Sequence, residues 1–240
     1  MNEVVVSLHE VSIGFKKINF EKINSVAHTG TLTALMGING VGKSCLLKTM
    51  AGLIKSIAGN IHIDQRDLVE YSSRELAQKL AIVLTEKIQV DFLKVSELVT
   101  LGRSPYTNWS GDMTARDNEI ILDSLKIVGL SELSQNYFAQ LSDGQKQKAM
   151  IARALAQTTK ILLLDEPTTY LDIPSKIELM KELKKISVEK NLAIILSTHD
   201  LDLVQNYADQ VWIMGKGAEF ITGSPAELLA AGQFKKHFYI

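Results

Sequence analysis

The sequence is poor in the features that mark secreted and membrane-spanning proteins. Its single cysteine, Cys45, excludes an intrachain disulfide and is typical of a reducing compartment. The apolar runs, such as Ile161 to Leu164, are far shorter than the about 20 residues that a helix needs to cross a bilayer. The first residues, Met1 to Val4, lack a basic start and a long apolar run, so we expect no secretory signal. If the protein acts at a membrane, we expect it to do so through a partner.

The chain also lacks an excess of charge of either sign. Its formal net charge is −1, whereas a nucleic-acid-binding protein favours a basic face, so we expect no nucleic-acid partner unless a local patch provides one. A hydrophobic content of 46% and a charged content of 22% are ordinary for a globular protein. At 240 residues the chain can bury a substantial core, in one large α/β domain or in two small ones.

The stretch from Gly37 to Ser44 fits the phosphate-loop pattern of Gly, four residues, then Gly-Lys-Ser/Thr. Residues 31–36 before it are apolar and β-branched and predict a buried strand. Residues 45–51 after it predict a short helix that Gly52 closes. A strand, a glycine loop and a helix in this order form the context that the motif requires. The alternative interpretation is an ordinary glycine turn before a helix. The pattern therefore predicts a nucleoside triphosphate site.

The chemistry of that site follows from the residue types. Glycines let successive backbone N–H groups face a phosphate, and the helix N-terminus adds partial positive charge. Lys43 would reach the β- and γ-phosphates, and Ser44 would offer its hydroxyl oxygen to Mg²⁺. Cys45 lies where a reactive thiol is conceivable, but a small side chain that fills space against the helix is the favoured interpretation.

Strand and helix patterns alternate along most of the chain. Predicted strands cover residues 4–8, 11–15, 61–63 after a Gly59-Asn60 turn, 80–84, 160–164, 192–197, 210–214 and 218–222. Predicted helices begin at Ser72 with a Ser72/Glu75 capping box, at Ser96, at Thr114 with Asp117, at Asp143 capped by Ser142, at Pro174 and near residue 200. Residues 91–156 are predominantly helical. The alternation predicts an α/β core with a parallel sheet, interrupted by a helical insert.

Two carboxylates end the most apolar predicted strand. Asp165 and Glu166 follow residues 160–164 directly, and the carboxyl ends of parallel strands are where such sheets place their ligands. Asp165 is suited to hold Mg²⁺, directly or through water. Glu166 could take a proton from an attacking water or orient it. A solvated turn is the alternative, which a phosphate loop on the same sheet disfavours.

Several motifs together resemble the ATP-binding cassette (ABC) ATPases. Residues 141–145, Leu-Ser-Asp-Gly-Gln, resemble that family's Leu-Ser-Gly-Gly-Gln signature and precede the Asp165-Glu166 strand as they do in the family. Leu171-Asp172 resembles its D-loop, and the run from Ser197 to Asp200 resembles the stretch that carries its switch histidine. The resemblance covers about residues 4–223 and depends on five motifs in order.

The resemblance implies roles for individual residues. Considered without the resemblance, Phe15 favours a core position, but the resemblance implies that it stacks on adenine. His199 would contact the γ-phosphate and the attacking water. Glu166 would be the catalytic carboxylate. The ATP ligands implied in the same chain are Gly37, Asn39, Gly40, Gly42, Lys43, Ser44 and Cys45, with Ser44 and Asp165 at Mg²⁺. The family pairs two copies head to tail, so Ser142, Gly144 and Gln145 would meet the nucleotide of a second copy.

The resemblance also implies the architecture. We expect one ABC ATPase domain over residues 1–240, with a P-loop NTPase (RecA-like) core at about 1–90 and 157–223 that carries an N-terminal antiparallel β-subdomain. An α-helical subdomain would be inserted at about 91–156, and a short C-terminal extension would cover 224–240.

Three positions depart from the family pattern. Cys45 replaces the usual Thr after the phosphate-loop Ser, and Asp143 replaces the first signature Gly. We expect the Asp143 carboxylate to point outward as a first-turn acid. Where the family usually has a Gln that contacts Mg²⁺ and signals to the membrane partner, this sequence has Thr85 followed by Glu86. Either could offer oxygen to Mg²⁺, and Glu86 is favoured.

Further stretches resemble the ATPase subunits of importers for iron–siderophore complexes, haem and cobalamin. They are Arg74 to Ala77, Glu97 to Val99, Leu101 to Tyr106, Leu171 to Ile173 and His199 to Leu203. The resemblance implies a second ATPase copy, transmembrane permease subunits and indirectly a solute-binding protein, at the cytoplasmic face of the membrane. Two alternatives stay open. The first is a soluble ABC ATPase that acts on DNA or the ribosome, and the second is the ATPase of an exporter.

Overall fold

The computed structural model describes residues 2–14, 18–85, 90, 92–108 and 111–238. Within these ranges the chain forms two β-sheets, one of four strands and one of six, and nine α-helices. Phe15 and Glu86, for which the sequence predicts nucleotide and metal contacts, lie outside the described residues. No helix in these ranges has both the length and the apolar character that crossing a membrane requires.

The first sheet is antiparallel and built from the N-terminal part of the chain. Its strands are β1 (Val4–Gly14), β2 (Ile18–His28), β4 (Ala58–Ile63) and β5 (Arg66–Asp67), in the order β2-β1-β4-β5. The prediction of two strands at 4–8 and 11–15 is wrong, because β1 is continuous through an irregularity between Leu8 and Val11. Glu10 there has a φ of 49°, which interrupts the alternation of buried side chains. β2 was not predicted.

The predicted Gly59-Asn60 turn is also wrong. Both residues lie inside β4, and Gly59 has a φ of 78°. A Cβ atom at this position would lie 2.3 Å from the carbonyl oxygen of Glu10. The glycine therefore allows β4 to approach the irregular part of β1, which no turn pattern indicates.

The second sheet is the core of the molecule. Its strands are β3 (Leu32–Gly37), β6 (Leu80–Val83), β7 (Ile161–Leu164), β8 (Ala193–Thr198), β9 (Gln210–Met214) and β10 (Phe220–Gly223), in the order β10-β9-β3-β8-β7-β6. All neighbours pair in parallel except β9 and β10, which pair antiparallel. The predicted parallel sheet is confirmed. Its carboxyl edge brings together the ends of β3, β8, β7 and β6.

The helices follow the predicted order. They are α1 (Lys43–Met50), α2 (Ser73–Ala77), α3 (Val95–Thr100), α4 (Ala115–Ile127), α5 (Asp143–Ala156), α6 (Ile173–Glu189), α7 (Leu201–Tyr207), α8 (Pro225–Ala230) and α9 (Gln233–Phe238). The capping boxes predicted at Ser72 and Thr114 are present, and Ser142 caps α5. Residues 224–240, expected only as an extension, contain α8 and α9, whose buried Leu228 and Phe234 pack beside β3 and β9.

Alternate residues of the core strands face two separate hydrophobic clusters. In β7, Ile161 and Leu163 face the cluster shared with the antiparallel sheet and α1. Leu162 and Leu164 face the cluster shared with α3, α4, α5 and α6. The core sheet is thus covered on both faces, as parallel sheets require, and its carboxyl edge is the place left for a ligand.

Candidate nucleotide site

The phosphate loop connects β3 to α1 at the centre of the sheet's carboxyl edge. Gly37 ends β3, and a Cβ atom there would lie 2.7 Å from Val41 Cγ1 and 2.9 Å from the Met214 carbonyl oxygen. Gly42, with a φ of 124°, precedes α1, which has no side-chain cap and no acidic residue in its first turn. The first N–H groups of α1 are therefore available to an anion.

Lys43 folds back over this loop. Only 4% of the residue is exposed, and its Nζ atom donates hydrogen bonds to the carbonyl oxygens of Gly37 at 2.9 Å and Ile38 at 3.4 Å. Nζ also lies 3.4 Å from Glu166 Oε1. The ion pair joins the phosphate loop to the end of β7, so the structure brings together the two motifs that the sequence placed far apart.

The remaining predicted ligands of the loop lie at its surface. Asn39, Gly40 and Ser44 are exposed, so the Ser44 hydroxyl is accessible to a ligand. Cys45 is partly buried and packs against the hydrophobic cluster under α1, as the interpretation of a small filler predicts.

Asp165 and Glu166 are held by a hydroxyl from the neighbouring strand. Ser197 Oγ donates to Asp165 Oδ1 at 2.7 Å and accepts from the backbone N–H of Glu166 at 2.8 Å. Asp165 is 5% exposed, and its second carboxylate oxygen is not used by this bond. Ser197 therefore orients the Asp165 carboxylate and holds the backbone of Glu166. In the sequence Ser197 stands out only as a neighbour of His199, so this role was not predicted.

The position of Ser197 follows from strand register. Leu164 of β7 pairs in parallel with Leu196 of β8, so the next residues, Asp165 and Ser197, lie level with each other. A buried polar residue near the carboxyl end of an otherwise apolar strand was the available signal.

Glu166 has a backbone conformation that is uncommon for its residue type. Its φ is 47°, in the left-handed region, and Thr169 Oγ1 donates to its Oε2 atom at 3.0 Å. Such a conformation costs free energy and persists where the surroundings hold it. Here it turns the carboxylate toward Lys43.

Thr85 lies on the other side of Asp165. Its Oγ1 donates to the carbonyl oxygen of Asp165 at 2.8 Å, so its proton is used on the backbone. Thr85, Asp143 and Glu166 also line one small cavity of about 20 Å³. Asp143 is exposed in the first turn of α5, on the side that faces Glu166 of its own chain.

The signature residues form a second group, separate from the phosphate loop. Ser142 Oγ accepts from the Gln145 N–H at 3.3 Å, and the Ser142 N–H donates to Gln145 Oε1 at 3.0 Å. Ser142, Gly144 and Gln145 line a cavity of about 150 Å³ together with Leu171 and α6. The structure therefore does not bring the signature to the chain's own phosphate loop.

His199 follows β8 directly and is exposed. In the part of the chain that the structure describes, its ring makes no hydrogen bond with Glu166 or Asp165. Asp200 caps α7 through a hydrogen bond from Leu203 N at 3.4 Å, which fixes the backbone next to the histidine.

A glycine loop between strand and helix, joined by an ion pair to an Asp-Glu sequence on a nearby parallel strand, defines a phosphate-loop nucleotide-binding cassette. A family model described as "ABC transporter" matches residues 20–169. The chain belongs to the ABC transporter family and is an ATP-binding ATPase subunit of that family.

Relatives of the chain carry more specific names. It is 34% identical to the petrobactin import ATP-binding protein FpuC of Bacillus anthracis over 94% of this chain and 83% of the relative. It is 33% identical to the iron(3+)-hydroxamate import ATP-binding protein FhuC of Bacillus subtilis over 98% of this chain and 88% of the relative. A dimeric structure of a bacterial ABC transporter cassette superposes with a TM-score of 0.79 at 26% identity, over 92% of this chain and 98% of that one. The predicted cassette fold is confirmed.

Proposed function

We propose that the protein is the ATP-hydrolysing subunit of a membrane importer for a metal chelate of the class that includes iron–siderophore complexes, haem and cobalamin. The catalytic part of this proposal rests on a group of residues that contact one another at the carboxyl edge of the core sheet. They are Lys43, Glu166, Asp165 and Ser197. The import names of two relatives and the resembling stretches of the insert support the transport part.

In this proposal Lys43 exchanges its present partners for a nucleotide. A buried ammonium group needs partners, and the carbonyl oxygens of Gly37 and Ile38 now supply them together with Glu166. When the β- and γ-phosphates bind at the N-terminus of α1, Lys43 turns to them and releases the Glu166 carboxylate. Glu166 then accepts the proton of the attacking water or orients that water.

The residues present fit Mg²⁺. Among the described residues, no three His, Cys, Asp or Glu side chains are grouped to hold a metal ion. Mg²⁺ usually needs only one or two protein ligands when substrate phosphates supply the rest. Ser44 in the phosphate loop and Asp165 after β7 offer hard oxygen atoms, and Thr85 is a further candidate. When bound, Mg²⁺ neutralises charge on the transferred phosphoryl group.

The proposal includes a second copy of the chain, because the signature residues and the phosphate loop form separate groups within one copy. Ser142, Gly144 and Gln145, at the capped N-terminus of the 14-residue helix α5, line a cavity with Leu171 and α6 that no residue of the phosphate loop lines. A second copy placed head to tail brings this terminus to the nucleotide, so that binding closes the pair and hydrolysis reopens it. His199, at the same edge, would contact the γ-phosphate. We infer that the pair docks on permease subunits at the cytoplasmic face of the membrane.

Glu166→Gln tests the catalytic assignment. The amide keeps the size of the side chain but cannot accept a proton, so we expect steady-state ATP hydrolysis to be lost while ATP still binds and dimers accumulate. Phosphate release, nucleotide binding and light scattering measure the three outcomes. Glu189→Gln, at an exposed position of α6, is the matched control. Near-normal turnover of the Glu166 variant would contradict the assignment.

Affinity purification from membranes tests the transport assignment. Co-purification of a polytopic membrane protein and ATPase stimulation by an iron chelate with its binding protein would support the importer. Recovery of ribosomes or DNA instead would favour a soluble ABC ATPase. Recovery of a membrane protein that moves solutes outward would favour an exporter.

A further inference from the structure

A polar cluster ties α5 to α6 behind the signature residues. Lys148 of α5 donates hydrogen bonds to two carboxylates of α6, Glu178 Oε1 at 3.1 Å and Glu182 Oε1 at 3.2 Å. The two glutamates lie four residues apart, so they present one face of α6 to the lysine. One ammonium group therefore holds two carboxylates of the neighbouring helix.

The cluster is more than an exposed ion pair. The Lys148 side chain is 20% exposed and that of Glu182 is 25% exposed. Glu182 Oε2 is buried, and no described residue donates a hydrogen bond to it. Burial raises the pKa of Glu182. Burial opposes the charged form of Lys148, but its hydrogen bonds to the two glutamates raise its pKa on balance. Removing Lys148 would leave the half-buried Glu182 carboxylate without its cation, beside the exposed carboxylate of Glu178.

The cluster lies one helical turn from the signature. Lys148 follows Gly144 by four residues, so the two share a face of α5. They line the same cavity of about 150 Å³ with Leu171 and Glu178. A Cβ atom on Gly144 would lie 3.4 Å from Leu171 Cδ2, so the first turn of α5 is in close contact with the segment that precedes α6.

We propose that Lys148 is a positioning residue for ATP hydrolysis, because it holds α6 and thereby fixes the first turn of α5 against Leu171. This inference rests on the proposed function, in which Ser142 and Gly144 meet the nucleotide of a second copy. Backbone N–H groups bind phosphate only when they point at it, and a misplacement of about 1 Å can cost about a hundredfold in rate. The tie therefore acts on closure of the dimer and leaves nucleotide binding at the phosphate loop unchanged.

The test compares Lys148→Met with Lys148→Arg and with the triple variant Lys148→Met/Glu178→Gln/Glu182→Gln. For Lys148→Met we expect about tenfold lower kcat, with unchanged ATP affinity of the protomer. When it is combined with Glu166→Gln, we expect weaker ATP-induced dimerisation than Glu166→Gln alone shows. Lys148→Arg keeps both hydrogen bonds and should retain most of the activity. Lys190→Met is the matched control, since Lys190 lies at the C-terminal end of α6 and forms an exposed ion pair with Asp123.

The outcomes separate this inference from the proposed function. If wild-type protein hydrolyses ATP and Lys148→Met turns over at the rate of Lys190→Met, the positioning role is wrong. If Lys148→Met does not fold, the triple variant decides, because it removes the ammonium group that ties the two helices without leaving an unpaired carboxylate; a rate equal to that of the wild type then overturns the inference. If the wild type itself does not hydrolyse ATP, the proposed function fails first.

Discussion

Ser197 shows how one hydroxyl group can organise a catalytic edge. It donates to Asp165 and accepts from the Glu166 N–H, so both acids depend on the same oxygen atom. The Asp165 carboxylate would otherwise be free to rotate about its side-chain torsions. Ser197 is fully buried in β8, which makes it a fixed reference point for both residues.

We predict that Ser197→Ala lowers kcat by about tenfold or more while ATP binding changes little, because catalysis depends on the orientation of the acids and binding depends on the loop amides. Steady-state kinetics and nucleotide titration measure the two effects. Ser197→Thr keeps the hydroxyl and suits a strand, so it should recover most of the rate. Equal rates for the Ala variant and the wild type would show that Asp165 needs no such support.

For individual residues, the sequence predicts which ones form most of the candidate site but not which contacts they make. Gly37, Lys43, Asp165 and Glu166 stand out by motif because their chemistry requires those residue types. The hydrogen bonds of Ser197 depend on the register between β7 and β8, and pairing partners are not encoded in any local pattern. The hydrogen bonds from Lys148 to Glu178 and Glu182 likewise depend on how α5 packs against α6, so the sequence does not predict them.

Among the elements, the antiparallel sheet departs most from the sequence analysis. Glu10 and Lys22, with φ of 49° and 53°, interrupt β1 and β2. In β2 the buried residues Phe20 and Ile23 lie an odd number of positions apart, so the two-residue alternation of a strand is lost. The helices that begin after Ser72, Thr114 and Ser142 were predicted because these residues lie in local capping patterns, whereas α8 and α9 were not predicted.

Gly59 gives a prediction for this sheet. Gly59→Ala should lower the free energy of unfolding by at least about 2 kcal/mol, because a side chain at positive φ costs about 1–2 kcal/mol and the new Cβ atom would overlap the Glu10 carbonyl group. Urea unfolding measures the change. Gly129→Ala is the control, with a φ of 70° and no atom within 4 Å of the added Cβ, and should cost about 1 kcal/mol. Equal losses would show that the close approach of β1 and β4 is unimportant.

The start of α4 gives a prediction about pH. Hydrogen bonds from the Thr114 hydroxyl and amide, with a further one from Arg103, lower the pKa of Asp117 to about 2. Because the folded-state pKa lies below the usual value of 3.8, ionised Asp117 stabilises the fold at higher pH. That stabilisation is lost as pH falls from about 4 to about 2.

Thermal unfolding of the wild type and Asp117→Asn across pH 6 to 2 checks this. The wild type should be more stable near neutral pH, and the difference should shrink as pH falls through that window. Other carboxylates with lowered pKa values, such as Glu75, titrate in both proteins and cancel in the comparison. A difference that stays constant with pH would mean that the charge of Asp117 does not stabilise α4.

For the whole molecule, Asp64 joins the two sheets. It follows β4 and accepts hydrogen bonds from Lys79, just before β6, at 2.6 Å and from Lys160, just before β7, at 3.0 Å. Lys79, with a second contribution from Lys160, lowers the pKa of Asp64. The contacts lie at the amino ends of these strands, opposite the nucleotide site. They hold the antiparallel sheet to the core sheet.

We predict that Asp64→Asn lowers the free energy of unfolding by about 1–2 kcal/mol, since the amide tolerates the φ of 50° but loses both charge pairs. The loss should be smaller in 1 M salt, which screens the pairs in the wild type. Denaturant unfolding at two salt concentrations measures this. Asp123→Asn removes the exposed pair with Lys190 and should change stability by less than about 1 kcal/mol. Equal effects at both sites would contradict the joining role.

The position of β3 has a consequence for how the chain acquires its fold. All six residues of this strand are buried, yet its two neighbours in the sheet are β8 and β9, paired through Ile194 and Gln210 late in the sequence. During synthesis an apolar strand and the glycine loop behind it are made long before either neighbour leaves the ribosome. Such long-range pairing slows folding and exposes aggregation-prone surface. A bound nucleotide can therefore stabilise the folded phosphate loop only after β8 and β9 have been synthesised.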